Sequence, residues 1–160
     1  MDKNRCIGKT AGYQGLPWHL PKDFQHFKEK SLGKPIIIGR TTFEAFGAKP
    51  LPKRDNIIVT RDTSYAKEGI LVAHSMEEAL ASAKDLATDD IIIAGGTQIY
   101  TQALNMGIVT RMILTEIDME AEGDAYFPAF NKIEWVEISR EPQVEKGIAY
   151  DFVVYERTSK

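Results

Sequence analysis

The sequence predicts an α/β protein, with a mostly parallel central sheet, helices on both faces and a C-terminal antiparallel hairpin. Three observations lead there. Four short apolar runs, residues 35–39 (PIIIG), 56–60 (NIIVT), 70–73 (ILVA) and 90–94 (DIIIA), have the composition of strands buried on both faces. Stretches with helical spacing and cap signals separate them, the mark of βαβ units. Residues 135–140 and 148–157 flank a turn that includes Glu145-Lys146-Gly147, which reads as an antiparallel pair and makes the sheet mixed.

In chain order, residues 1–7 (MDKNRCI) are polar and short of strand signals. Residues 8–15 (GKTAGYQG) carry three glycines and read as a mobile loop, either a lid or plain surface. Residues 15–27 (GLPWHLPKDFQHF) follow, with one carboxylate, Asp23, among Leu16, Trp18, Leu20, Phe24 and Phe27. Pro17 and Pro21 lead into a helix expected over residues 20–31. That start puts Asp23 in the first turn and Phe27 one turn on, on the same face. A first-turn Asp complementing the helix dipole over core aromatics accounts for the same pattern.

Residues 40–46 (RTTFEAF) read as a short helix and residues 48–54 (AKPLPKR) as a loop. Ser75 and Glu78 form a capping box that opens a helix to about residue 86. Gly95-Gly96 precedes a further helix over residues 97–104, and residues 111–118 (RMILTEID) alternate as a strand does.

A chain of 160 residues is expected to form one domain, residues 1–160. Its net charge of -3 gives no reason to expect nucleic acid or an anionic membrane as partner. Cys6 is the single cysteine, so no intrachain disulfide forms, a reducing compartment fits, and a small buried residue is the expected role. No run has the length of a membrane span, and the start lacks the apolar region of a signal peptide, so the expected location is the cytoplasm.

In open parallel sheets ligands bind beyond the carboxyl ends of the strands. Here those ends carry Gly39-Arg40-Thr41-Thr42, then Thr60-Arg61, then Gly95-Gly96-Thr97-Gln98. Cations, hydroxyls and close backbone approach suit a pyrophosphate and one further phosphate, and Arg suits a monoester. That favours NADPH over NADH, although the chain has no G-x-G-x-x-G sequence. The three histidines lack metal-ligand spacing, and no Ser or Cys sits in an identifiable nucleophile elbow, which leaves hydride chemistry.

From near its start to its end the chain resembles the dihydrofolate reductase family. The matching motifs are Ile7-Gly8, Leu16-Pro17-Trp18 to Asp23 and Phe27, and Gly39-Arg40-Thr41-Thr42-Phe43-Glu44. They continue through Pro50-Leu51-Pro52 to Arg54-Asp55-Asn56, Ala94-Gly95-Gly96 to Tyr100, residues 114–118 (LTEID), and Glu122-Gly123-Asp124 to Phe127-Pro128.

The resemblance implies NADPH-dependent reduction of 7,8-dihydrofolate to tetrahydrofolate, by hydride transfer to C6 and protonation at N5, in one-carbon metabolism. It implies that Asp23 anchors the pterin, supported by Thr115, that Trp18 helps hold a water, and that Leu16 is the lid residue. Phe24, Phe27, Phe46 and Leu51 would line the substrate, Arg54 would pair with the glutamate tail, and Ala94 and Tyr100 would stand near the reacting rings. Gly95-Gly96 would carry a cis peptide. Ile7, Gly39, Arg40, Thr41, Thr42, Thr60 and Arg61 would line the cofactor, together with Ala94, Gly95, Gly96, Thr97, Gln98 and Ile99. Whether Asp23 passes the proton or orients the pterin for a water stays open among these residues.

Three departures stand out. Family members usually begin with an apolar strand ahead of the position of Met1; here it is missing, and the expectation is that the true start lies upstream. Its absence would leave ladder groups unpaired. The loop over residues 8–15 is a few residues longer than in common members, and Ala94 replaces a larger aliphatic. The competing readings are the related NADPH-dependent reductase of riboflavin synthesis and a non-catalytic NADPH- or folate-binding truncate. Asp23, Phe27 and Arg54 together argue against the first. A monomer is expected.

Overall fold

The computed structural model describes residues 1–8, 17–86 and 90–158. Its elements in chain order are β1 (Cys6–Gly8), α1 (Pro21–Ser31), β2 (Pro35–Gly39), α2 (Arg40–Ala45), β3 (Asp55–Val59), β4 (Leu71–Ala73), α3 (Met76–Leu86), β5 (Ile92–Ile93), α4 (Thr97–Asn105), β6 (Arg111–Ile117), β7 (Ala125–Tyr126), β8 (Trp135–Glu145) and β9 (Ile148–Arg157). The chain divides into two compact units, Met1–Asp23 with Leu104–Lys160, and Phe24–Ala103.

In the unit Phe24–Ala103 a parallel sheet has the order β4-β3-β2-β5. Ile37 stands opposite both Ile57 and Ile93, so isoleucines face isoleucines across three strands. On one face Ile36, Ile38 and Ile58 pack with Phe43. Ile37 and Ile57 alternate to the other face and are equally buried, as continuous apolar strands require. Helix α3 buries Met76, Ala79 and Ala83, a single stripe at helical spacing. Its cap is a variant of the expected box. The Glu78 N–H donates to Ser75 Oγ (3.0 Å), but the Glu78 carboxylate accepts from the N–H of His74 (3.2 Å).

The strand expected over residues 90–94 is shorter and wetter than its sequence suggests. Only Ile92–Ile93 pair as a strand, and residues 91–94 are half-buried. Strand β5 ladders to β2 alone and is an edge of this sheet among the described residues.

In the unit Met1–Asp23 with Leu104–Lys160, an antiparallel sheet has the order β6-β9-β8. Its ladder is separate from the parallel one. The hairpin loop is Lys146-Gly147, with φ of 52° and 77°. Two left-handed residues match the twist of a two-residue hairpin. Strand β8 runs on to Glu145, well past the expected end at residue 140. Pro142 reads as a strand breaker, but β8 is the outer strand of the sheet, where a missing N–H costs no ladder bond.

Strands β1 and β7 were not expected from the polar start of the chain. They pair antiparallel, Cys6 opposite Tyr126. Asp2, 4% exposed, organises the approach: its carboxylate accepts from the N–H groups of Asn4 (2.8 Å), Cys6 (2.7 Å) and Ala121 (2.7 Å). Beside β6, the Met1 ammonium donates to Thr115 O, and Ile117 N–H donates to Met1 O (2.8 Å). Cys6 is fully buried, as expected. A Cβ on Gly123 would overlap Cys6 Sγ and the carbonyl oxygen of Gly8. Gly123→Ala is therefore expected to destabilise the protein by about 3 kcal/mol, an overpacking cost with rigid backbone on one side. Urea unfolding checks this, and an unchanged midpoint contradicts it.

Candidate active site

Helix α1 starts at Pro21 and carries Asp23, half-buried, in its first turn. Ahead of it Trp18 and Leu20 are buried in a core with Ile117 and Tyr150, against which Phe152 packs. Thr115 and Ile117 stand opposite Phe152 and Tyr150 in the ladder, so Thr115 is on the face of β6 that carries this core. Thr115 Oγ1 donates to Asp23 Oδ1 at 2.6 Å. The pair expected from residues 92 positions apart is therefore made. Among the described residues the buried indole N–H of Trp18 has no acceptor, which suits a polar bridge such as a water.

Two further residues of this environment were missed in the sequence. Glu145, at the end of β8, accepts from the N–H of Lys22 (3.2 Å) and from the Tyr150 hydroxyl (3.3 Å). It thus supplies a carboxylate to an N–H in the first turn of α1, where the helix dipole favours one. Burial, then the Glu145 carboxylate, then Asp23 push the Tyr150 hydroxyl up to about 12. A capping carboxylate from a distant hairpin has no local sequence signal.

In the other unit, the ends of β2 and β5 meet through glycine. Gly39 N–H donates to Gly95 O (2.8 Å), and the Gly95-Gly96 peptide is cis. A Cβ on Gly39 would lie 3.2 Å from Ile99, one on Gly95 3.1 Å from the Tyr100 ring, and one on Gly96 2.8 Å from Thr42 Oγ1. Gly39, Thr42, Gly95, Gly96, Ile99 and Tyr100 are therefore one cluster, with Thr97 opening α4 beside it and Gln98 exposed. At the end of β3, Thr60 is buried and Arg61 exposed. The His74 ring nitrogen Nδ1 is 2.9 Å from Thr60 O. Arg40 and Thr41 are exposed, and the Arg40 guanidinium lies 5.9 Å from the centre of the Tyr65 ring.

The third group is aromatic and basic. The Arg54 guanidinium lies 6.0 Å from the centre of the Phe27 ring and donates to Ser31 Oγ (3.0 Å) and Pro52 O (3.0 Å). Burial holds it below its ordinary pKa. Phe46, Leu51 and Ala94 pack against the core of Ile36, Ile38, Phe43 and Ile58. The buried side chain of Asn56 fixes this loop. It accepts from Leu51 N–H (2.8 Å) and donates to Leu51 O (3.0 Å) and Arg54 O (2.9 Å).

Phe24 is half-buried on α1, and Ile7 stands in β1, in the other unit from the glycine cluster. Leu16 lies outside the described residues, as does the loop over residues 8–15 apart from Gly8. Among the described residues no three His, Cys, Asp or Glu side chains come together as a metal site needs, and no helix is long and apolar enough to cross a membrane.

Parallel strand ends bearing glycine, arginine and threonine, with a hydroxyl-supported carboxylate at a helix start, are those of a nucleotide-dependent reductase. Comparison with known proteins makes the class specific. The family model described as dihydrofolate reductase matches residues 1–157. The chain is 45% identical over 157 residues to the dihydrofolate reductase of Neisseria meningitidis, covering 97% of this chain and 93% of that one. It is 38% identical to that of Bacillus subtilis, covering 98% and 90%. A solved structure of dihydrofolate reductase from Enterococcus faecalis, complexed with NADP(H) and RAB-propyl, superposes with a TM-score of 0.88 at 35% identity, covering 99% of this chain and 92% of that one. The chain belongs to the dihydrofolate reductase family and is an NADPH-dependent oxidoreductase.

Proposed function

We propose that this chain carries out the family's reaction, reduction of 7,8-dihydrofolate to 5,6,7,8-tetrahydrofolate, with Asp23 as the pterin anchor. The observation that carries the assignment is the 2.6 Å hydrogen bond from Thr115 to Asp23. It sets the direction of the carboxylate that would accept from the pterin's N3–H and 2-amino group. Trp18, with its buried N–H, is the residue that would hold a water for protonation at N5. Leu16 is assigned the lid, and Phe24 a place on the same helix wall.

Arg54 is assigned the glutamate tail. Its guanidinium is oriented by Ser31 and Pro52, its charge is partly desolvated, and the Phe27 ring lies beside it. Phe27, Phe46 and Leu51 would grip the rings, with Ala94 and Tyr100 near the reacting carbons. Arg54→Met is expected to raise KM for dihydrofolate about tenfold or more with kcat little changed, the loss of one charge-assisted pair. Steady-state kinetics check it, and an unaltered KM sinks the assignment.

The residues fit NADPH on two counts. A Cβ at Gly95 would crowd the Tyr100 ring and one at Gly96 would displace Thr42 Oγ1, so this turn is suited to presenting backbone. Exposed Arg40 and Arg61, with the hydroxyls of Thr41, Thr42 and Thr60, have the chemistry for a pyrophosphate and a phosphate monoester. Thr97 and Gln98 open the nine-residue helix α4, whose N–H groups suit the pyrophosphate. Gly39 and Ile99 complete the glycine cluster, and Ile7 is assigned to the nicotinamide side. NADPH, when bound, supplies the hydride. The test is NADPH absorbance in a purified preparation: oxidation that depends on added dihydrofolate is expected, and oxidation without it, or none, contradicts the proposal.

The match across residues 1–157 supports binding of dihydrofolate and folate analogues in one-carbon metabolism, and the net charge of -3 gives no reason to expect nucleic acid; a single-domain cytoplasmic monomer completes the proposal.

A further inference from the structure

We propose that Arg140 is a positioning residue for the Asp23–Thr115 pair, clamping the antiparallel sheet at the register step that presents Thr115. The proposal rests on the reading of Asp23 as pterin anchor and adds what holds it in place.

Glu116 on β6 stands directly opposite Asp151 on β9. Two carboxylates paired across a ladder, on the same face, repel and loosen the strands. This step is next to the Thr115–Phe152 pair, whose side chains point to the other face. Arg140, on β8, neutralises both acids. Its Nη1 is 2.6 Å from Asp151 Oδ2, and its Nη2 is 3.1 Å from Glu116 Oε1 and 2.7 Å from Glu137 Oε1. One guanidinium thus ties β8, β9 and β6 together, with Lys132 the further cation acting on Glu137. The hydrogen bonds to Glu137 and Asp151 raise the Arg140 pKa, so the cation persists at every working pH. The buried Tyr155 hydroxyl donates to Glu116 Oε2 at 2.6 Å, holding that carboxylate from the other side.

Strand β6 needs this support. Among the described residues it ladders to β9 alone, and on its other edge it meets Met1 through Thr115 O and Ile117 N–H. With Arg140 gone, the Glu116–Asp151 repulsion falls on the residues beside Thr115, and the 2.6 Å bond to Asp23 loosens. Loss of that donor weakens the anchor and, with the Met1 ammonium and the Tyr150 hydroxyl also acting on Asp23, shifts it toward the protonated acid.

The test is the pH dependence of kcat and KM for dihydrofolate, with melting temperatures, for Arg140→Met, Thr115→Val and the double variant Arg140→Met/Asp151→Asn. For Arg140→Met we expect KM to rise about fivefold, the weight of one hydrogen bond weakened but not abolished, and the fall of kcat to move to higher pH. Thr115→Val moves both in the same direction. The double variant, which removes the repulsion without restoring the cation, returns both toward the parent values. A lower melting temperature for Arg140→Met with KM and pH profile unmoved overturns the proposal, as does a double variant that restores nothing. If Thr115→Val itself changes nothing, the reading of Asp23 fails and the clamp with it. A change in Thr115→Val without one in Arg140→Met sinks the clamp alone. Should Arg140→Met not fold, Arg140→Lys carries the same test, with a smaller rise in KM expected and none overturning the proposal.

Discussion

Asp23→Asn is expected to keep the fold and lose most turnover on dihydrofolate at neutral pH. The exchange is isosteric, and the amide oxygen can still accept from Thr115. What changes is the second atom. An NH2 group replaces an acceptor and meets the N3–H and 2-amino donors of the pterin, so donor faces donor. The amide also has no proton to exchange with substrate or water. Loss of a general acid or its equivalent costs roughly 10²–10⁴ in rate, so kcat/KM should fall by about three orders of magnitude. Activity should recover as the pH falls, because solvent can then protonate N5. Steady-state kinetics over pH, with a melting curve to establish folding, check this. Near-normal kcat at neutral pH contradicts the assignment.

Gly95→Ala is the second large effect. Gly95 has φ +108, a conformation that L side chains rarely adopt, and an added Cβ would lie 3.1 Å from the Tyr100 ring. Its carbonyl accepts from Gly39 N–H, so a shift of Gly95 also moves the end of β2. We expect a loss of about 3 kcal/mol in stability from backbone strain and the forced contact together. NADPH affinity should fall at least about tenfold, equivalent to about 1.4 kcal/mol. Gly33→Ala is the control. Its φ is +77, with nothing within 4 Å of the added Cβ, so it bears the conformational cost alone and leaves NADPH binding unchanged. Urea unfolding and a fluorescence titration with NADPH separate the two. Parent-like affinity in Gly95→Ala contradicts the role given to the glycine turn.

Much of this architecture is legible residue by residue. The runs PIIIG and NIIVT have no polar face, so burial on both sides is their only stable use, and β2 and β3 form within a residue of the expected bounds. Pro21 and Asp23 mark the start of α1 for reasons local to the first turn. The pairing of Thr115 with Asp23 and the cis Gly95-Gly96 peptide follow from family resemblance, not from spacing, and both are present.

Other features depend on partners far away in the chain. Strands β1 and β7 are three and two residues long, and they form because Asp2 gathers three N–H groups and Gly123 lets the backbones approach. Strand β8 continues through Pro142 because it is an edge. The Arg140 cluster requires the register of three strands, and the clasp of Asn56 on residues 51–54 requires a turn conformation; neither has a local pattern.

Hydride transfer from NADPH to dihydrofolate in the site assigned to Asp23 leaves an isotopic signature. NADPH deuterated at the transferable C4 position, incubated with dihydrofolate and the protein, tests it most directly. The parent protein is expected to give tetrahydrofolate with one deuterium at C6, and Asp23→Asn the same product far more slowly. Unlabelled product, or labelled product at equal rates from both proteins, would contradict it.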